Sequence, residues 1–204
     1  MTRMTAILTL LAAAGMASAA DIPEPDLCTV EIDALAIGAS IFVVPDGSGT
    51  PLTAASAPGG VEVDATITVT LVNPAGELIV GYPAEDLWLE TADGGLVACP
   101  DGTTADAPTD ENGQTVWQQP LHAGGWSDAE SLLALVAGVP IHPELPLRVN
   151  SPDVNGDLEV NLSDIVPLAQ ALGGYAYEVD FNHDGAINLS DIARFVPAIG
   201  AACP

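Results

Sequence analysis

The stretch ATITVTLV, residues 65–72, decides the fold of this chain. Ile67, Val69 and Leu71 alternate with three threonines, so in an extended backbone the apolar side chains lie on one face and the hydroxyls on the other. Six of these eight residues are threonine, isoleucine or valine, whose β-branched side chains favour strands. The stretch therefore predicts a β-strand with one buried face.

Similar short segments lie on both sides of this strand, and turn sequences such as Pro45-Asp46-Gly47 and Asn73-Pro74-Ala75-Gly76 separate them. Many short strands at this spacing are typical of an all-β sandwich, which we predict over residues 28–149. The further strand segments are 28–35, 40–44, 86–91, 96–99, 114–118, 132–137 and 145–149.

The region of about residues 60–120 resembles bacterial immunoglobulin-like domains of the invasin type. The resemblance rests on residues 66–72 with the turn that follows them, on Gly81-Tyr82-Pro83, and on residues 109–116. It implies that the predicted sandwich is immunoglobulin-like.

The first twenty residues have the layout of a secretory signal peptide, with Arg3, an apolar run over 6–16 and the small residues Ala17-Ser18-Ala19-Ala20. The apolar run is shorter than the roughly 20 residues that a helix needs to span a bilayer. We therefore predict a signal peptide over 1–20, a Pro-rich tail over 21–27, no membrane span, and a secreted or cell-surface protein.

The chain is strongly acidic, with 28 acidic against 3 basic residues and a formal net charge of −25. Such a charge disfavours nucleic acid and anionic lipid as partners. Hydrophobic residues make up 49% of the chain, enough for a packed core. The composition therefore predicts a folded protein whose acidic surface suits bound divalent cations.

Three cysteines, Cys28, Cys99 and Cys203, predict one disulfide and one remaining thiol in an exported chain. The sequence does not decide the pairing. A bond from Cys28 to Cys203 would join the ends of the mature chain, and one from Cys28 to Cys99 would lie within the sandwich.

After residue 150 the pattern changes, because a twelve-residue unit occurs twice, at 153–164 and 180–191. A calcium loop of this length supplies oxygens from positions 1, 3, 5, 7, 9 and 12, with a main-chain carbonyl at position 7. The agreement of both copies at all five side-chain positions predicts two calcium ions. The ligand positions are Asp153, Asn155, Asp157, Glu159, Asn161 and Asp164 in the first copy, and Asp180, Asn182, Asp184, Ala186, Asn188 and Asp191 in the second.

Other loop positions carry expectations of their own. Position 6 is Gly185 in the second copy but Leu158 in the first, where a positive φ would strain a bulky side chain. Val160 and Ile187, at position 8, are expected to anchor the loops to each other and to the core. His183, at position 4, is expected to face solvent.

Residues 151–200 resemble type I dockerin repeats, in which each calcium loop is followed by one helix. The apolar spacing in residues 163–172 and 190–199 fits such helices. The resemblance implies a small α calcium-loop module over 150–204 that binds a cohesin-like or surface scaffold protein. Loop positions 10 and 11, which are Leu162, Ser163, Leu189 and Ser190, are the implied partner-binding residues.

No nucleophile or zinc motif includes His122, His142 or His183, so we predict a non-catalytic protein. Two alternatives stay open. The calcium module could instead act as a structural clip packed on its own sandwich, in an adhesin or surface-layer subunit. The sandwich could also bind a polysaccharide through aromatic side chains, namely Tyr82, Trp88, Trp117 and Trp126, although large aromatics more often fill a core.

Overall fold

The computed structural model describes residues 22–204, so the signal peptide predicted over 1–20 lies outside the described residues. The described chain forms twelve β-strands and two short α-helices. The strands are β1 (Thr29–Glu31), β2 (Ser40–Phe42), β3 (Ala55–Ala57), β4 (Val61–Val63), β5 (Ile67–Thr70), β6 (Leu87–Thr91), β7 (Leu96–Ala98), β8 (Gln114–Trp117), β9 (Ala123–Gly125), β10 (Leu132–Val136), β11 (Val139–Leu145) and β12 (Arg148–Asn150), and the helices are α1 (Ile165–Ala171) and α2 (Leu189–Phe195).

The strands form four small sheets with the orders β1-β5-β8, β11-β10-β6, β12-β2-β3-β4 and β7-β9. Strand β5 pairs antiparallel with both of its neighbours, placing Val69 opposite Val30 on one side and Thr115 on the other. Strand β12 pairs in parallel with β2. The mainly β architecture predicted from the sequence is confirmed.

The alternation that predicted β5 determines its packing, because Ile67 and Val69 are fully buried while Thr68 and Thr70 are only half-buried. Inward residues of the other strands, including Leu89, Trp117 and Ile141, join them in one apolar core. We call residues 22–150 the β body and residues 151–204 the loop module. The body ends with β12, one residue beyond the predicted boundary.

Strand β2 is buried on both faces and lies between the body and the loop module. Ile41 and Val43 pack in the core of the body, whereas Phe42 and Val44 point the other way and pack among module residues. Phe42 contacts Phe181 edge to face, with ring centroids 5.9 Å apart. We call this second cluster the shared core, which comprises Phe42, Val44, Val154, Val160, Leu168, Val179, Phe181, Ile187, Phe195, Ala198 and Ala201.

Covalent and polar contacts reinforce the shared core. Cys99 of the body forms a disulfide with Cys203 near the end of the chain, while Cys28 is a buried free thiol. Neither of the two pairings described from the sequence forms, since both involve Cys28; the observed disulfide joins the body to the loop module. The Tyr177 hydroxyl also lies 2.8 Å from Ser40 Oγ in β2, so the loop module is fixed to the body at several separate points.

Candidate calcium loops

The first and last residues of each twelve-residue loop are aspartates with no solvent exposure, namely Asp153, Asp164, Asp180 and Asp191. Each carboxylate accepts main-chain N–H groups within its own loop. Asp180, for example, accepts from Asp184 N at 3.1 Å and from Gly185 N at 3.0 Å. Buried carboxylates need such partners because an isolated buried charge is costly.

The two loops repeat nearly the same hydrogen bonds. Asp157 N and Leu158 N donate to Asp153 as Asp184 N and Gly185 N donate to Asp180. Asn161 N donates to Asp164 in the first loop at 2.9 Å, the same distance as its counterpart in the second. The sequence repeat is therefore also a repeat of conformation.

The loops differ at their last residue. The second acceptor oxygen of Asp191 takes the N–H of Phe181, at position 2, whereas Asp164 takes the N–H of Asn155, at position 3. In the first loop the Asn155 amide also donates to Ser163 Oγ at 3.0 Å. Ser163 is thus involved in contacts within its own loop.

Position 6 requires a left-handed backbone in both loops, with φ of 68° at Leu158 and 85° at Gly185. The expectation of a positive φ at Leu158 is confirmed. For a branched side chain this conformation is strained, because Cβ approaches the following carbonyl oxygen. The backbone conformation of the first loop is therefore more strained than that of the second loop.

Burial raises the pKa of the Asp153 carboxyl, and the nearby charges of Asp164 and Asp157 raise it further. Burial likewise raises the pKa of Asp191, and Asp180 and Asp184 add to the effect. Both loops thus bring carboxylates close enough to repel one another. A bound cation would remove that repulsion.

The donor set fits calcium only if amide and main-chain oxygens take part. Within residues 22–204, no three or more His, Cys, Asp or Glu side chains converge as a metal-binding group. Calcium loops combine carboxylates with Asn and main-chain carbonyl oxygens. In each loop the position 9 amide nitrogen donates to the position 7 carbonyl, from Asn161 to Glu159 at 3.3 Å and from Asn188 to Ala186 at 3.2 Å.

The position 8 residues, Val160 and Ile187, are buried in the shared core as expected. The backbone of Val160, however, does not pair with the second loop. Val160 N donates to Ala201 O, and Val160 O accepts from Gly200 N. The first loop therefore pairs with the end of the chain, which the disulfide holds nearby.

The expectation that His183 faces solvent is wrong, because only 5% of this residue is exposed. Its ring packs against Tyr177 with centroids 5.8 Å apart, and its carbonyl accepts the N–H groups of Gly59 and Gly60, each at 2.9 Å. The second loop lies against the turn between β3 and β4. Burial lowers the pKa of His183, which favours the neutral imidazole.

The implied partner-binding residues are on the surface, and Leu162 and Leu189 are 74% and 79% exposed. Ser163 and Ser190 are exposed beside them. Between α1 and α2 lies an almost purely apolar groove of about 170 Å³. Its lining includes Ile165, Leu168, Leu172, Ile192, Phe195 and Val196.

Helix α2 begins with a capping box, in which Asn188 accepts from the backbone of the first turn and Asp191 accepts from Asn188 N. Helix α1 has no side-chain cap. The two helices follow the loops as predicted, although each has only seven residues. Pro197 belongs to a 3₁₀ turn after α2, where the helix has ended.

The aromatic side chains considered as an alternative sugar-binding platform do not form one unit. Trp117 is fully buried and donates from Nε1 to Thr103 O at 2.9 Å, so it cannot contact a sugar. Trp126 packs on Tyr177 at 6.5 Å, and Trp88 donates to Glu90.

Within the described part of the chain, no helix is long and apolar enough to cross a membrane.

Two residues outside the repeat also contact the loops. Gly124 and Asn150, in β9 and β12, lie against Asp153 and Asp180. The repeat itself carries no signal for them, because they precede it in the sequence and become neighbours only through the fold.

No protein-family model matches the chain, and no curated protein matches it. Among solved structures, the chain is similar to the filamin domain of Lin-41, with 16% sequence identity and a TM-score of 0.31. The aligned region covers 62% of this chain and 96% of that domain. This similarity is too distant to assign the chain to a family.

Proposed function

We propose that this chain is an exported, non-catalytic protein that binds two calcium ions and docks to a cohesin-like or surface scaffold protein. The observation that carries the proposal is the repeated loop conformation, with an exposed leucine at position 10 of each copy and an apolar groove between the two helices that follow the loops. An immunoglobulin-like body and a dockerin-type module are part of the same proposal, and both rest on the sequence resemblances.

Calcium suits these loops because it takes six to eight oxygen ligands in a flexible geometry. In each loop the ion would be held by carboxylates at positions 1, 5 and 12, amide oxygens at positions 3 and 9, and the carbonyl at position 7. Each carboxylate oxygen has more than one acceptor site, so it can accept an N–H and still bind a cation. The ion would neutralise charges that otherwise repel one another.

The docking face is defined here as Leu162, Ile165, Leu172, Leu189 and Val196, all of which are exposed by 37% or more. Contiguous exposed apolar side chains on a soluble domain mark surfaces that bind a partner. In a chain with so many carboxylates this face is a distinctly apolar region. Calcium would hold both leucines in place, since each lies between ligands at positions 9 and 12.

Calcium-dependent capture tests the docking function. We would immobilise a cohesin domain and compare the wild-type chain with the variant carrying Leu162→Asp and Leu189→Asp, in calcium and in chelator. We expect the double variant to lose capture while keeping its calcium affinity and melting temperature. A chain with Leu35→Asp, which changes a leucine that is 77% exposed on the β body, is the matched control.

A second function, a structural clip, is favoured by the shared core and by the disulfide between Cys99 and Cys203. In that case the double variant still binds calcium and no partner is captured by the wild-type chain. A fall in the melting temperature of the double variant would show that the two leucines are part of the protein's own packing, because a buried charge destabilises.

A further inference from the structure

The β body holds the first residue of each calcium loop by its main-chain carbonyl. Gly125 N, in β9, donates to Asp153 O at 2.8 Å. Asn150 Nδ2, at the end of β12, donates to Asp180 O at 2.6 Å. Both aspartates are completely buried, so each loop begins at a point fixed by the body.

Asn150 occupies an unusual position for a polar side chain. It has no solvent exposure, and its Oδ1 has no hydrogen-bond partner although its Nδ2 is used. An unpaired buried oxygen destabilises a protein, and native structures contain few of them. An amide kept there at this cost points to a role for the bond that it donates to Asp180.

Gly124 has the corresponding place at the first loop. A Cβ built on this glycine would overlap the carboxylate of Asp153. No positive φ is required at Gly124, so the space for the carboxylate is the reason for glycine here. Because glycine has no side chain, this position leaves space for the carboxylate at position 1 of the first loop.

We propose that Asn150 and Gly124 are positioning residues of the body, each of which sets the calcium affinity of one loop. The proposal rests on the calcium binding proposed above. The bond from Asn150 fixes the peptide after Asp180 and so the direction of its carboxylate, while Gly124 fixes the carboxylate of Asp153 by close contact. Groups that orient metal ligands in this way typically change metal affinity by about 10- to 100-fold.

The test uses full-length chains in which only one loop can bind. Asp184→Ala leaves the first loop intact, and Asp157→Ala leaves the second. Into each of these backgrounds we would introduce Asn150→Leu or Gly124→Ala and titrate with calcium by calorimetry. Gly174→Ala is the matched control, because its Cβ would meet only Ala171 O at an ordinary 3.7 Å.

We expect Asn150→Leu to weaken the second loop by about tenfold and to leave the first unchanged, and Gly124→Ala to do the reverse. Asn150→Leu removes the unpaired Oδ1 together with one of the two hydrogen bonds to Asp180 O, which keeps the N–H of His183 at 3.2 Å. Its melting temperature in chelator should therefore stay within about 4 °C of its background. If the leucine variant does not fold, Asn150→Ala replaces it, because alanine removes the amide without adding bulk.

Two results are decisive against the proposal. Unchanged affinities in both variants, or equal losses in both loops from either variant, would overturn the positioning role while leaving calcium binding intact. Absence of calcium binding by the wild-type chain would overturn the proposed function as well as this inference. Loop-selective losses at unchanged metal-free stability would support it, since a merely structural role would not select one loop.

Discussion

Replacing Phe42 with alanine tests whether the β body and the loop module unfold together. Phe42 belongs to β2 of the body, yet its ring packs only in the shared core, against Phe181 and below Arg194, whose guanidinium carbon is 5.6 Å from the ring centre. If the two parts are one cooperative unit, the loss of this ring destabilises all of it.

The magnitude follows from burial. Phe42 is 8% exposed, and truncation of a buried phenylalanine to alanine costs about 3–5 kcal/mol. In a protein of this size each kcal/mol shifts the melting temperature by about 2–4 °C, so we expect a single transition lowered by about 6–20 °C. Leu35→Ala, at a mostly exposed site, should change stability by less than about 0.5 kcal/mol.

The measurement is thermal unfolding in chelator, followed in parallel by far-ultraviolet and near-ultraviolet circular dichroism. Coincident transitions, both lowered in the variant, are the expected result. Two transitions, with that of the β body at its wild-type temperature, would refute the reasoning. Such a result would show that the loop module unfolds independently of the β body.

Three further predictions concern strain, covalent linkage and pH. Leu158→Gly removes the strained left-handed leucine, worth about 1 kcal/mol, and should raise the calcium affinity of the first loop by about fivefold in a titration. Cys203→Ser removes the disulfide, which joins residues 104 apart in sequence, and should lower the free energy of unfolding, measured with denaturant, by about 2–5 kcal/mol. Unchanged stability would count against this disulfide. Burial raises the pKa of Tyr177 above its usual range, so the folded state holds this proton more tightly than the unfolded state does. The free energy of unfolding should therefore fall as the pH rises above about 10. A Tyr177 hydroxyl that titrates normally in the folded protein would contradict this prediction.

Much of the β body could be predicted because its strands alternate in polarity. The Thr and aliphatic alternation at Ile67, Val69 and Leu71 identified β5, and six of the other seven segments each contain one of the strands β1, β2, β6, β7, β8 and β10. Residues 145–149 were predicted as one strand but contain the end of β11 and the start of β12. Strands β3 and β9 were missed because alanines, serine and glycines in them give little periodicity, and β4 was missed because its Val-Glu-Val alternation extends over only three residues.

The positions of the two candidate calcium loops could be predicted because each proposed ligand position recurs after a fixed spacing. What surrounds them was not, since contacts between distant segments leave no local pattern. His183 is buried by a turn more than a hundred residues earlier in the chain, and Cys99 pairs with Cys203 through the fold. The roles of Gly124 and Asn150 depend on the same long-range packing.

Calcium titration of the wild-type chain by calorimetry is the decisive measurement. We expect two ions per chain, bound more tightly by the loop with Gly185 than by the loop with Leu158. Asp184→Ala should remove the tighter site and Asp157→Ala the weaker one. Fewer than two ions bound by the wild-type chain would show that the repeat is not a pair of calcium-binding loops.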